Sequence, residues 1–365
     1  MAENRIVEDA LRLIEGKINF ENSKHYYLIR TDQGRNYDQF AQSNYVALNY
    51  TDHPIEYLRQ IVREYPTPDV RVQKIKEKLL DMHRQGTINL ASRNGEEMEG
   101  STLTRTAKQI YIVTYGIKQG DIVIIPDKDS HRIRIGRVTD EHLAMDIADF
   151  SYARHVEWIK EIPKSRLDPC LYKALGANQA VCDITKYAEY IERNYTSYFS
   201  VADTYYYVLT VNTSNVSAWD LTESISELLK IAQKFSDENN LNLDLRSSVN
   251  FSINLNSPGK FSFASSMAVA VLIMASATAL FGGDIKYDQF NASTNGAFKT
   301  IVDCIIEYRQ QDQELRHMDE LFQRCSNSLE LKSVEDINNA VDEEEENEVE
   351  PELDENQIED VHSEL

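Results

Sequence analysis

A run of 21 residues without one charged side chain, residues 261–281, limits what the second half of this chain can fold into. The run is long enough to cross a bilayer as a helix. It also holds four serines and a threonine, much of the rest is alanine, and no basic cluster flanks it to set an orientation. The pattern therefore favours a buried central helix packed through small residues. A membrane segment, inserted on oligomerisation, is the alternative.

The net charge of −22 is unevenly distributed. Residues 1–166 hold 25 basic and 25 acidic side chains, whereas residues 334–365 hold 15 acidic side chains and neither lysine nor arginine. We predict that this acidic tail is disordered, because it has too little apolar surface to offset the entropy of ordering. It serves either to solvate the protein or as a mimic of nucleic acid or a hook for a partner. The balanced first half remains able to bind a polyanion.

The length of 365 residues suits two domains. We predict an N-terminal helix in residues 1–22, a mixed α/β module in residues 23–190, an α/β interaction or effector domain in residues 200–330, and the tail. The fold class is therefore α+β. Four scattered cysteines without a CxxC pair indicate reduced thiols and a cytoplasmic protein.

Short strands separated by turns with glycine and aspartate predict a barrel-like sheet in the first module. We expect strands at residues 25–30, 45–50, 122–126, 132–138 and 156–159, a helical turn at 37–43, and helices at 54–64 and 70–84. Residues 86–106 are mostly polar and show neither period, which indicates an insertion or a mobile loop.

In the second half the apolar periodicity changes along the chain. It predicts a strand at residues 204–211, a helix at 218–235, one or two strands within 241–255, and helices near 296–308 and 312–325.

Three segments of the first module together resemble the EVE/PUA-like domains of bacterial restriction and phage-defence proteins. They are HYYLIRTDQGRNYDQFAQSNYVALNY (residues 25–50), KQGDIVIIPDKDSHRIRIGRVTDE (118–141) and RHVEWIKEIPKSRLDPCLYKALGANQAVCDIT (154–185). They are similar to the opening strand, turn, short helix and second strand of that family, to its "GDLVVVP…IGEV" hairpin, and to its closing segment. The resemblance spans residues 24–185, and we recognise no family in the C-terminal half.

The resemblance implies a binding module that holds a modified base or a nucleotide against aromatic side chains. By position, the ligand-binding residues would be Tyr26, Tyr27, Asp32, Arg35, Asn36, Tyr37 and Tyr50. Arg132, Arg134 and Arg137 would contact phosphates, and Arg35 could do the same. Tyr50 stands where the family often has tryptophan. The resemblance also implies a role in anti-phage defence, with a nucleic-acid or nucleotide ligand and either self-association or an effector protein as partner.

Other interpretations of these residues remain open. Strand tyrosines often pack in a half-buried core, and strand arginines often form a solvated face. Trp158 lies near apolar Val156 and Ile159, which favours a core position. The sequence holds no phosphate-binding loop, no dinucleotide fingerprint, no HExxH and no nucleophile elbow, so we expect neither catalysis nor a metal or cofactor. A membrane-disrupting effector and a divergent metal-dependent nuclease are the alternatives.

Overall fold

The computed structural model describes residues 2–17, 24–48, 55–88, 100–141, 152–177, 179–213, 217–254, 259–281, 292–311 and 313–332. Three predictions concern residues outside these ranges. They are the role of Tyr50, the loop at residues 89–99, and the disorder of the tail at residues 334–365.

Helix α1 (Ala2–Lys17) opens the chain, as predicted, and six strands then form a sheet that curls into a half-barrel. The strands are β1 (Tyr26–Ile29), β2 (Tyr45–Leu48), β3 (Ile122–Pro126), β4 (Arg132–Val138), β5 (Tyr152–Pro163) and β6 (Val181–Asp183). Their order is β2-β5-β4-β3-β1-β6, with β1 and β3 parallel and the other neighbours antiparallel. The predicted strands and the mixed α+β class are confirmed.

Helices pack on both faces of this first sheet. One face carries α2 (Tyr37–Gln42), α3 (Ile55–Glu64), α4 (Pro68–Arg84) and α5 (Gly100–Tyr111), which continues as one π-helical turn (Ile112–Gly116). The other face carries α6 (Cys170–Leu175) and α7 (Ala188–Glu192). The prediction of an insertion or mobile loop is wrong for residues 100–106, because α5 begins at Gly100 and buries Leu103, Ala107 and Ile110 on one face.

The second sheet is antiparallel in every pairing that the structure describes, so the predicted α/β class of this unit is wrong and α+β is correct. Its strands are β7 (Tyr198–Val201), β8 (Thr204–Val211), β9 (Asn250–Asn254), β10 (Gly259–Ser265) and β11 (Leu331–Lys332). The order is β11-β8-β10-β9, and β7 also pairs with β8. The helices are α8 (Ala218–Glu238), α9 (Leu245–Ser248), α10 (Met267–Phe281), α11 (Ala292–Gln311) and α12 (Gln313–Leu329).

The uncharged run is two elements instead of one helix. Residues 261–265 belong to strand β10, and the 15-residue helix α10 begins only at Met267. Every residue from Val269 to Ala277 is buried, and these residues belong to the core of the second unit. Within the described residues, no helix combines the length and the apolar character that a membrane crossing requires.

The N-terminal helix packs in the second unit, although the first module follows it in the chain. The α1 side chains of Val7, Ala10, Leu11 and Ile14 are at most 7% exposed and join the core formed by α10, α11 and the second sheet. The first module is therefore an insertion between α1 and the remainder of the second unit. Because the contact is remote in sequence, local patterning could not reveal it.

Candidate ligand site in the first module

Adjacent tyrosines on strand β1 point to opposite faces of the first sheet. Tyr26 is 3% exposed and packs in the core under α6 and α7, where its hydroxyl donates a hydrogen bond to the buried carboxylate of Glu192. Tyr27 is 6% exposed and packs in the other core, under α5. Because successive strand residues alternate between faces, the two predicted site residues do not line one pocket. Burial also raises the pKa of both phenols, so both stay protonated.

Three predicted site residues do come together, around a carboxylate that the sequence analysis missed. The Tyr37 hydroxyl donates a hydrogen bond of 2.6 Å to Glu161 Oε2. Arg132 donates to Glu161 Oε1 at 2.7 Å, and Arg134 donates to Oε2 at 2.6 Å. Both guanidinium groups also lie over the Tyr37 ring, 5.7 and 5.8 Å from its centre.

In the cluster of Tyr37, Glu161, Arg132 and Arg134, one carboxylate bonds two guanidinium groups, and the carboxylate of Asp127 beside it supplies the second negative charge. Burial alone would raise the pKa of the Glu161 carboxyl, but the hydrogen bonds from Tyr37 and Arg134 and the charges of both arginines outweigh that effect and hold the pKa below its ordinary value. Arg132 also contacts Asp127, with Nε 3.3 Å from Oδ2. A phosphate entering here would have to displace one of these carboxylates, so the two arginines are poorly placed to bind one.

The third predicted arginine lies elsewhere. Ile133 and Ile135 pack in the core under α6 and α7, so the strand alternation directs Arg132 and Arg134 to one face of β4 and Arg137 to the other. Its charge acts on Tyr26 on that same face, where it opposes the rise of the tyrosine pKa. The three arginines therefore do not form one phosphate-binding stripe.

Residues 32–36 form a turn, with Asp32, Gln33 and Gly34 at positive φ. Gly34 has a φ of +88° and packs so closely that an added Cβ would lie 2.5 Å from the backbone nitrogen of Lys128. Arg35 is exposed, and its Nη1 lies 3.4 Å from Oδ2 of Asp32. Asn36 precedes α2, and its side chain makes no capping hydrogen bond to that helix. These residues lie at the surface of a rigid turn.

A cleft of about 540 Å³ opens at the edge of the sheet, between α5 and the edge strand β6. Its walls come from α5, from the segment before β6 and from β6 itself. The lining residues are Arg105, Ala177, Gln179, Cys182 and Asp183. A second cavity of about 250 Å³ shares Arg105 and Gln179 with the cleft and extends along α5 past Lys108 and Gln109. The two spaces adjoin at Arg105 and Gln179, and together they are called the groove below.

Two positive charges of this groove come from α5. Its sequence GSTLTRTAKQIY contains Arg105 and Lys108 and no acidic residue. Both side chains are exposed, and neither makes a hydrogen bond or an ion pair with another residue that the structure describes. Lys76 adds a third positive charge beside them, since its ammonium donates to the hydroxyl of Thr104 at 2.8 Å.

The opposite wall of the groove is held by the first sheet. Arg30 on the end of β1 donates to the carbonyl of Ala177, with Nε at 3.0 Å, and also to the carbonyl of Leu175. In β6, Asp183 lies directly opposite Tyr27 of β1. The predicted ligand residue Tyr27 is therefore buried beside the strand that lines the groove and is not one of the lining residues.

The groove residues could not be predicted from the sequence, because α5, which forms one wall of the groove, begins within residues 86–106, the segment interpreted as a loop. Within the described residues, no group of three or more His, Cys, Asp or Glu side chains is placed to hold a metal ion. Comparisons of this chain with models of protein families, with curated proteins and with solved structures find no match.

Proposed function

We propose that the first module binds a nucleotide or a nucleic-acid segment with a modified base, in the groove between α5 and β6. The second unit would transmit the bound state, either by self-association or through an effector protein. The observation that carries this proposal is the open cleft of about 540 Å³ with the adjoining cavity of about 250 Å³. Arg105 lines both spaces and Lys108 lines the second, and both side chains are unpaired among the described residues. The resemblance to EVE/PUA-like domains adds the expectation of a role in anti-phage defence.

The size and the chemistry of the groove suit such a ligand. Pockets for small molecules and cofactors span about 300–1,000 Å³. A guanidinium such as that of Arg105 donates to phosphate oxygens in a fixed fork, and Lys108 adds a second positive charge. The Gln179 amide both donates and accepts hydrogen bonds, and the carboxylate of Asp183 accepts them, so the two residues can read the polar edge of a base or the hydroxyls of a ribose.

The groove is a better candidate than the cluster around Glu161. In that cluster each arginine is already bonded to a carboxylate, so a phosphate gains little there and meets a negative charge. In the groove, Arg105 and Lys108 make no hydrogen bond or ion pair with another described residue, so a ligand that binds them has no such bond to break.

The test is a binding titration of the full-length protein with mononucleotides and with plain, methylated and hydroxymethylated DNA at two salt concentrations. We expect one modified form to bind more tightly, with modest salt dependence, because base readout adds to phosphate contact. Arg105→Ala should weaken binding roughly tenfold, which is the effect of losing one charged hydrogen bond.

Arg246→Ala is the matched control, since Arg246 is an exposed arginine on the second unit. Equal and strongly salt-dependent binding of all DNA forms would reduce the proposal to phosphate contact. Unchanged affinity in Arg105→Ala would place the site outside the groove, and an absence of binding to every probe would overturn the proposed ligand class.

A further inference from the structure

Strand β9 forms an open edge of the second sheet. It pairs with β10 on one side, and the described residues provide no backbone hydrogen bond to its other side. Residues 250–253 are all exposed. An edge strand of this kind presents a row of unpaired N–H and C=O groups that can pair with another strand.

Two large apolar side chains on β9 are left uncovered. Phe251 and Ile253 are each 42% exposed, although they lie on the face of the sheet that packs against the helices. Phe251 is in ring contact with Phe263 of β10, at 5.5 Å between centres. The helices therefore bury β10 but stop short of β9, and the apolar surface of the core continues to the edge.

The sequence of β9 is nearly palindromic. It reads Asn-Phe-Ser-Ile-Asn from residue 250 to residue 254. If two such strands run antiparallel and centre on Ser252, each Asn250 lies opposite an Asn254, each Phe251 lies opposite an Ile253, and the two Ser252 residues face one another. Aromatic and β-branched side chains are favourable cross-strand neighbours.

We propose that β9 pairs with β9 of a second copy of this chain, in antiparallel register about Ser252, and joins the two sheets across a two-fold axis. A two-fold interface must be self-complementary, and a palindromic strand satisfies that requirement. Asn254 of β9 also donates a hydrogen bond of 3.2 Å to Asp168 Oδ2 of the first module. The proposal does not depend on whether that module binds a nucleotide.

The absence of charged side chains on β9 favours this partner. Edge strands that avoid association carry lysines, prolines or inward-pointing charges, and β9 carries none of these. Two copies therefore meet at this strand without like charges opposite one another, and a charged partner strand would find no complementary charge. Since each whole chain carries −22, added salt should strengthen the dimer by screening the long-range repulsion.

The size of the interface sets the expected affinity. A stable complex buries about 800 Å² on each partner, and a five-residue strand with two half-exposed apolar side chains provides much less. We therefore expect a weak dimer that dissociates on dilution instead of a permanent one.

The test is sedimentation velocity of the full-length protein over a concentration series up to about 100 µM, which extends above the micromolar Kd values of weak specific interfaces. We expect a reversible monomer–dimer equilibrium. Ile253→Lys and Phe251→Glu should each weaken self-association roughly tenfold or more, because each directs a charge at an apolar side chain. Melting curves show whether each variant keeps its fold, a point that matters for Phe251 because of its contact with Phe263.

Mixing the two variants tests the register itself. In the proposed pairing, the new glutamate at position 251 of one chain lies opposite the new lysine at position 253 of the other, so a 1:1 mixture should form heterodimers. Trp219→Lys is the control, since Trp219 is an apolar residue 79% exposed elsewhere on the unit, and it should leave the dimer intact. A wild-type protein that stays monomeric throughout, or a dimer that Ile253→Lys leaves unchanged, would overturn the proposal.

Discussion

The guanidinium of Arg154 is fully buried and donates a hydrogen bond of 2.9 Å from Nε to the carboxylate of Asp140. The same side chain donates from Nη1 to the carbonyl of Ile117 at 2.6 Å, just after the π-helical turn that follows α5. The Arg154 side chain therefore links strand β5 to the end of α5, the helix that forms one wall of the groove.

We expect Asp140→Ala to lower the free energy of unfolding by about 3 kcal/mol, because it leaves a buried guanidinium without its counter-charge. Urea denaturation measures the change. Asp203→Ala, which removes a carboxylate from the exposed turn between β7 and β8, serves as the control and should cost little. A loss below about 1 kcal/mol in Asp140→Ala would show that the pair contributes no more than a surface ion pair.

The close approach of Gly34 to Lys128 predicts a large penalty for any side chain at position 34. In Gly34→Ala, a residue at positive φ gains a Cβ that would lie 2.5 Å from the backbone nitrogen of Lys128. We expect a loss of about 2 kcal/mol or more in the free energy of unfolding. Gly86→Ala is the matched control, since its φ of +71° imposes the backbone strain while its Cβ meets nothing within 4 Å. Equal losses in both variants would contradict the importance of the contact.

The first sheet could be predicted largely because its strands alternate or run apolar between turns, as in Ile122–Pro126. The same alternation implies that Tyr26 and Tyr27 face opposite ways, so this correction was available from the sequence. Glu161 was not available, because a glutamate in a strand of mixed polarity carries no sign of the two arginines that it bonds across β4 and β5.

Other features depend on contacts between distant parts of the chain. The uncharged run predicted burial correctly but not its division into strand and helix, since a segment that is apolar on all sides shows no period. The first turn of α5 is polar, so the sequence there shows no helical period. The apolar face of the helix consists of Leu103, Ala107 and Ile110, which pack in the core of the first module. Arg105 was missed for the same reason.

The packing of α1 in the second unit predicts different effects for adjacent residues. Ile14 is fully buried in the second core, whereas its neighbour Leu13 is 37% exposed. We expect Ile14→Ala to lower the free energy of unfolding by about 2–4 kcal/mol and Leu13→Ala to lower it by less than about 1 kcal/mol. Similar losses in both variants would mean that α1 does not pack as described. Denaturant unfolding followed by far-UV circular dichroism measures both.

The last prediction concerns Lys260 on β10, whose ammonium donates a hydrogen bond of 2.6 Å to the side chain of Asn194 at the junction of the two units. Burial of the ammonium lowers its pKa to about 7. Repulsion from Arg193 and Arg166 adds to that effect, and the carboxylate of Asp168 opposes it. In the unfolded chain the pKa of lysine is near 10.4, so between about pH 7 and pH 10 the unfolded chain binds the proton and the folded protein does not.

The free energy of unfolding of the wild type should therefore rise with pH across that window, by up to about 1.4 kcal/mol per pH unit from this group. Lys260→Met lacks the group, so its gain in stability over the wild type should be largest below pH 7 and should shrink towards pH 10. Denaturation curves of both proteins at pH 6, 7.5 and 9 measure this difference, and Lys173→Met, at an exposed lysine, controls for the loss of one charge. If the difference between Lys260→Met and the wild type is the same at all three pH values, Lys260 keeps its proton in the folded protein, and the junction between the units holds a buried positive charge.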